Sequence, residues 1–152
     1  MSAGPADLLV VDASVAAKWH LSDEEHTEQA RHILRLFAQG QIALFAPNHI
    51  RTEVPAAIVT ATRRQPARLT RQQGQEAIEE FLSLAIETLE SPDLTLSAYG
   101  LAHRHQVSFY DALYLSAAQA LGAPLMTADR RFYERIQRLP NMRWLGNFPP
   151  AG

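Results

Sequence analysis

Short apolar runs that stop at a turn or cap residue alternate along this chain with stretches of helical periodicity, and that alternation restricts its fold more than any other feature. Leu8-Leu9-Val10-Val11 ends in Asp12-Ala13-Ser14, the pattern of a buried strand closing on a polar residue suited to a turn or helix cap. From Thr27 onward Ala30, Ile33, Leu34 and Phe37 recur at helical spacing, and Gly40 stands where a C-terminal cap belongs. Ile42-Ala43-Leu44-Phe45, closed by Ala46-Pro47, predicts a second short strand, with Asn48 available to cap a helix running to about Arg64. Pro55 predicts either a kink in that helix or a regular start near Thr52, which would put the proline in the permissive first turn.

Residues 63–75 read as a basic connection with a cap near Thr70. One long helix is expected next, because Ile78, Phe81, Leu82, Ala85, Ile86 and Leu89 trace a single apolar stripe while Glu76, Glu79, Glu80, Glu87 and Glu90 fall off it. A further helix is expected over about 97–105. Ser108-Phe109-Tyr110-Asp111 has the spacing of a capping box, so the helix it opens should run to Leu121 and stop at Gly122. Pro124-Leu125-Met126-Thr127 predicts a strand ending at Ala128-Asp129, followed by a helix over 130–139 and a last strand near Arg143-Trp144-Leu145. Strands alternating with helices, with no internal repeat, predict the α/β class: an α/β/α sandwich on a mainly parallel short sheet. The 152 residues suit a single domain, with a core over about 8–145 and a loose tail over 146–152.

Composition removes several chemistries. With no cysteine, the chain has no disulfide framework, no thiolate nucleophile and no cysteine-built zinc site. No apolar run approaches the roughly 20 residues that span a bilayer, and Met1 to Pro5 carry no basic stretch leading into a signal sequence, so a cytoplasmic protein without membrane contact is expected. The net charge of −2 conceals segregation: residues 63–75 carry four arginines and no acid, while residues 76–102 carry six acids and no base. Separate basic and acidic faces are expected.

Right-handed crossovers bring all strand C-termini to one edge of a parallel sheet, where open α/β folds bind ligands. Asp12 follows the first strand, Glu53 lies early in the helix after the second, Asp111 lies in the first turn of its helix, and Asp129 follows the strand 125–127. Each has a local explanation as a cap or as an acid at a helix's positive end. Four together also suit a hard divalent cation, Mg²⁺ or Mn²⁺, which prefers carboxylates and water. Two carboxylates about 4 Å apart repel by roughly 4 kcal/mol at an effective dielectric of 20, so converging acids need neutralising. Lys18, the single lysine, balances at most one of them.

Val10-Val11-Asp12-Ala13-Ser14-Val15-Ala16, Ala46-Pro47 ahead of Glu53-Val54, Tyr110-Asp111-Ala112-Leu113-Tyr114-Leu115, and Leu125-Met126-Thr127-Ala128-Asp129-Arg130-Arg131 resemble a PIN domain, and more narrowly the VapC-type toxins of bacterial toxin–antitoxin pairs. The resemblance extends over about 8–145. It implies a PIN-like fold and a Mg²⁺-dependent endoribonuclease, with Mn²⁺ able to substitute, that hydrolyses RNA phosphodiesters by metal-activated water. It maps a catalytic, metal-binding pocket onto Asp12, Glu53, Asp111 and Asp129, with Ser14 and Thr127 as supporting hydroxyls. It also implies an RNA substrate, a cognate antitoxin protein and a homodimer. The chain departs from the family at Ala56, where an asparagine often follows the glutamate, and at His105-Gln106-Val107, where a glycine is common.

RNA approaching an acidic pocket requires positive charge at its edge. Arg130 and Arg131 follow Asp129 directly and are the substrate-binding candidates, with residues 63–71 as an extension of the track. Tyr110 and Tyr114 are expected to pack rather than stack on bases, and the histidines to lie at the surface. The alternatives are a catalytically silent PIN-like binding domain and a phosphoacceptor receiver-type domain. The latter lacks its lysine, since none follows Lys18, and a phosphatase Asp-x-Asp loop fails at Ser14.

Overall fold

The computed structural model describes residues 5–150. Five strands form one sheet: β1 (Asp7–Val11), β2 (Ile42–Pro47), β3 (Glu87–Leu89), β4 (Leu125–Thr127) and β5 (Met142–Trp144), in the order β3-β2-β1-β4-β5. All four pairings are parallel, so every connection is a crossover. The central strand β1 reads as a continuous apolar run because its neighbours and helices bury it, with Val10 and Val11 fully enclosed.

The described helices are α1 (Ala13–Ala17), α2 (Thr27–Ala38), α3 (Ile50–Arg63), α4 (Arg71–Ser83), α5 (Pro92–His105), α6 (Phe109–Leu121) and α7 (Arg130–Ile136). α6 packs on β1, β2 and β4, and α5 packs on α6. Leu44, Leu115 and Leu125 meet in this core with almost no exposure, so cutting any one to alanine costs about 2–5 kcal/mol. α6 stops at Gly122, whose φ of +62° is the left-handed conformation that ends a helix most readily with glycine. α3 and α4 lie so close that a Cβ on Gly74 would come within 2.8 Å of the Thr62 methyl. None of the described helices is long and apolar enough to cross a membrane.

Four sequence expectations require correction. The apolar stripe from Ile78 to Leu89 is not one helix: α4 ends at Ser83, Leu84 is extended, and 87–89 pair with β2 as the edge strand β3. α5 begins earlier than expected, at Pro92, because Ser91 caps it by accepting from Leu94 N at 3.2 Å. α3 has no side-chain cap from Asn48; it starts after His49 and carries Pro55 within it, which leaves the Arg51 carbonyl without its helical donor. α7 ends at Ile136, three residues short of the expected end. Near the C-terminus, Phe148 packs on the core and His32 Nδ1 lies 2.7 Å from the Pro149 carbonyl; residues 151–152 of the expected tail lie outside the described part.

Candidate active site

The chain leaves β1 at Val11 and turns directly into α1, so Asp12 caps that helix at the C-terminal rim of the sheet. Its Oδ1 accepts from Val15 N at 3.2 Å and from the Ser14 hydroxyl at 2.5 Å; its Oδ2 accepts from the Thr127 hydroxyl. Those hydroxyls also fasten the end of β4, Ser14 Oγ accepting from Ala128 N at 2.8 Å and Thr127 Oγ1 from Asp129 N at 3.0 Å. Asp12 is buried, at 3% exposure. Burial pushes its carboxyl up to about 7 despite those three hydrogen bonds, and Asp111 adds to the rise.

Asp111 stands in the first turn of α6, where Ser108 Oγ accepts from its backbone N–H at 3.0 Å. The cap uses the backbone and leaves the carboxylate to the rim. Burial first, then Asp129 and Glu53, lift that carboxyl to about 6, against opposing pulls from Ser108 and His49. Asp129 caps α7, accepting from Phe132 N at 3.2 Å. Glu53 lies in the first turn of α3, with its Oε1 2.6 Å from His49 Nε2, one turn back. The four predicted acids therefore form one electrostatic group centred on Asp111.

Beneath them lies Tyr114, 1% exposed, whose hydroxyl near the Ala13 backbone has no well-aligned partner. Burial, then Glu53, Asp12 and Asp111, hold its phenol above the ordinary range. Four buried side-chain polar atoms lack a hydrogen bond among the described residues, and three of them, His49 Nε2, Glu53 Oε1 and the Tyr114 hydroxyl, are here. The His49–Glu53 approach is close but is not aligned as a hydrogen bond.

No three acidic or histidine side chains among the described residues close to the spacing of a metal site. Asp12 is held by two hydroxyls and an amide, Asp129 by the amide it caps, and Glu53 lies against His49. The donor set still fits a hard divalent cation, being carboxylates and hydroxyls with buried charge that no lysine or arginine meets. Lys18 does not serve the rim; it is bonded to Glu24 at 3.2 Å.

The arginines divide. Arg68 grips Asp23 through Nε at 2.8 Å and also reaches Glu24, so it is committed rather than free in solvent. Arg130 lies over the Trp144 ring at 5.0 Å, and Arg131 is exposed beside it. Tyr110 is 61% exposed, whereas Tyr114 belongs to the core. Two of the six histidines are not the surface groups that spacing suggested: His20 is held below its ordinary range by burial, and His49 packs its ring 4.7 Å from Tyr114. The signal for His49 was its position four residues before Glu53, one helical turn.

These features define the class. The chain belongs to the PIN-domain family, whose model matches residues 9–137. Within that family its relatives are VapC ribonucleases. Ribonuclease VapC12 of Mycobacterium tuberculosis is 32% identical over 124 residues, 82% of this chain and 88% of that protein. Ribonuclease VapC3 of Pyrobaculum aerophilum is 31% identical over 133 residues, 86% of this chain and 96% of that protein. In fold, the chain resembles the crystal structure of PAE2754 from Pyrobaculum aerophilum, at a TM-score of 0.66 and 20% identity over 93% of this chain and 92% of that one. It also resembles VapBC2 from Rickettsia felis, solved bound to a promoter DNA fragment, at a TM-score of 0.63 and 17% identity over 90% and 96% of the two chains.

Proposed function

We propose that the protein is the toxin of a type II toxin–antitoxin pair, a cytoplasmic, Mg²⁺-dependent endoribonuclease whose site is Asp12, Glu53, Asp111 and Asp129. The observation that carries this reading is the concentration of acidity that no lysine or arginine meets, centred on buried Asp12 and half-buried Asp111, and of unpaired polar atoms at the rim of the sheet, in a chain related to VapC ribonucleases. Asp12 and Asp111 would hold the ion, with Asp129 and Glu53 completing its surroundings directly or through water, and Mn²⁺ would substitute. A bound divalent ion supplies Lewis acidity at the phosphate and a more acidic water as nucleophile.

The protein's own residues do the rest. Ser14 and Thr127 fix both oxygens of Asp12, so the carboxylate presents itself to the rim in one orientation. The Asp111 backbone N–H is tied to Ser108 at the start of α6, which sets where its carboxylate leaves the helix. Glu53 is steered by His49. Arg130, stacked on Trp144, and Arg131 would hold phosphates flanking the scissile one. The cognate antitoxin is proposed from the relatives, several structures of this fold being toxin–antitoxin complexes. Leu96 and Tyr99 of α5, at 72% and 64% exposure, form an apolar surface of the kind a second copy would cover in a homodimer.

The test is a Mn²⁺ titration that follows thermal stability and cleavage of a structured RNA together. Both are expected to rise over one concentration range. Stabilisation without cleavage of any RNA would favour a silent binding domain, and neither effect would refute the metal site.

A further inference from the structure

A cavity of about 350 Å³ opens beside the acidic rim, at the C-terminal ends of β2 and β3, and the proposed chemistry leaves it unused. It shares walls with the site. His49 lines it while touching Glu53; Thr52 lines it and immediately precedes Glu53; Phe109 lines it two residues before Asp111. A row of rings joins the two places: Phe109 lies 6.3 Å from Tyr110, Tyr110 5.5 Å from His49, and His49 4.7 Å from Tyr114 beneath the acids. Phe109 and Tyr110 are exposed at 39% and 61%, which leaves aromatic surface available to a flat group.

The lining decides what that is. No lysine or arginine lines the cavity among the described residues, and the Glu90 carboxylate at its edge opposes a phosphate there. Phe109, Leu94 and Leu113 supply apolar faces, and Glu90 with Asn48 supplies polar edges. Apolar faces with a hydrogen-bonding edge suit a nucleobase taken out of its stack. The Glu90 carboxylate only accepts hydrogen bonds, and guanine is the base that presents two adjacent N–H donors, N1–H and the N2 amine, to a single carboxylate. We propose that this cavity receives the unstacked base, guanine in preference, of a nucleotide adjoining the phosphate engaged at the acidic rim. This rests on the ribonuclease reading above and adds a single-stranded base to the substrate it describes.

Two substitutions test it on the full chain. Thr95→Phe, at an exposed position of α5 on the lining, fills the space without entering the core, and Glu90→Gln removes the acceptor pair. The probes are the four ribonucleoside 5′-monophosphates and short single-stranded RNAs differing in one base, titrated in the presence of Mg²⁺ and followed by NMR shifts and cleavage position. Guanine is expected to bind about tenfold more tightly than the other bases, and each variant is expected to remove most of that preference. Stabilisation by Mn²⁺ should be unchanged in both variants, which shows that fold and rim are intact. Cleavage of RNA without guanine preference, or with a preference that survives both substitutions, overturns the base pocket and leaves the ribonuclease reading standing. Failure of the unaltered protein to bind or cut any RNA while binding Mn²⁺ overturns both.

Discussion

One cavity of about 420 Å³ is lined both by Ser14, Glu53 and Ala128 from the acidic rim and by Lys18, Glu24 and Arg68. On the second side the charges are matched within the chain. Arg68 bonds Asp23 and Glu24, Lys18 bonds Glu24, and the guanidinium holds the Asp23 carboxyl below its ordinary range. On the first side Asp12 and Asp111 are pushed the opposite way, to about 7 and about 6. Cations are thus present close to the rim and are spent elsewhere. The rim leaves its carboxylates unmatched beside occupied arginine and lysine, as the proposed cation site would require, whereas the Asp23–Glu24 cluster fastens the chain after α1 to the connection before α4.

The sharpest way to break that contrast is Asp111→Asn. RNA cleavage is expected to fall by a factor on the order of 10³ or more, since a charged group at the reaction centre is lost, while the metal-free protein melts no lower than the unaltered one because repulsion is relieved. A melting temperature several degrees lower would instead mean that Asp111 serves α6 as a structural cap.

The second prediction concerns pH. Asp12 and Asp111 bind protons more tightly in the folded chain than the ordinary carboxyl value of 3.8 allows in the unfolded one. The native state therefore carries protons that the unfolded state has released, and these groups make the metal-free protein less stable as pH rises from about 4 to 7. The shift of Asp12 corresponds to on the order of 4 kcal/mol as an upper bound. Melting curves between pH 4 and 8 should show this loss with a chelator present and its reversal with Mg²⁺, the ion stabilising more at pH 8 than at pH 5. Stabilisation by Mg²⁺ that does not grow with pH would separate the ion from these acids.

His49 offers a smaller effect. His49→Ala is expected to weaken Mn²⁺ binding about tenfold by freeing Glu53, and His49→Gln to recover part of the loss, measured by calorimetry. Equal affinities in all three proteins would confine His49 to packing against Tyr110 and Tyr114. The smallest effect belongs to the matched side. Arg68→Ala should lower the melting temperature by about 2 °C and leave Mn²⁺ affinity unchanged, because its partners are partly exposed and Lys18 still meets Glu24.

Local chemistry explains which parts of the fold were legible. Asp12, Thr70, Ser108 and Asp129 all cap the helices that their sequence context announced. β3 was not legible, because Ile86 and Leu89 continue a helical stripe and three residues acquire strand character only by pairing with β2. The start of α5 was missed for a different reason: Ser91-Pro92 is a cap and first-turn signal, overshadowed by the glutamate-rich stripe before it. At the site, the sequence offered each acid two roles, and Asp111 fills both, its N–H at the cap and its carboxylate at the rim. Tyr114 as an unpaired floor did not follow from spacing, whereas the separation of His49 and Glu53 by one helical turn did carry a signal of their contact.

The order of short apolar runs and cap residues alone determined an α/β chain with its acids at strand ends and helix starts, because hydrophobic periodicity and backbone capping act over a few residues. Only the tertiary structure decided that Arg68 and Lys18 would be taken up by Asp23 and Glu24 while buried Asp12 and half-buried Asp111 met no lysine or arginine. Charge matching depends on which distant side chains meet, and burial sets how strongly each one is felt.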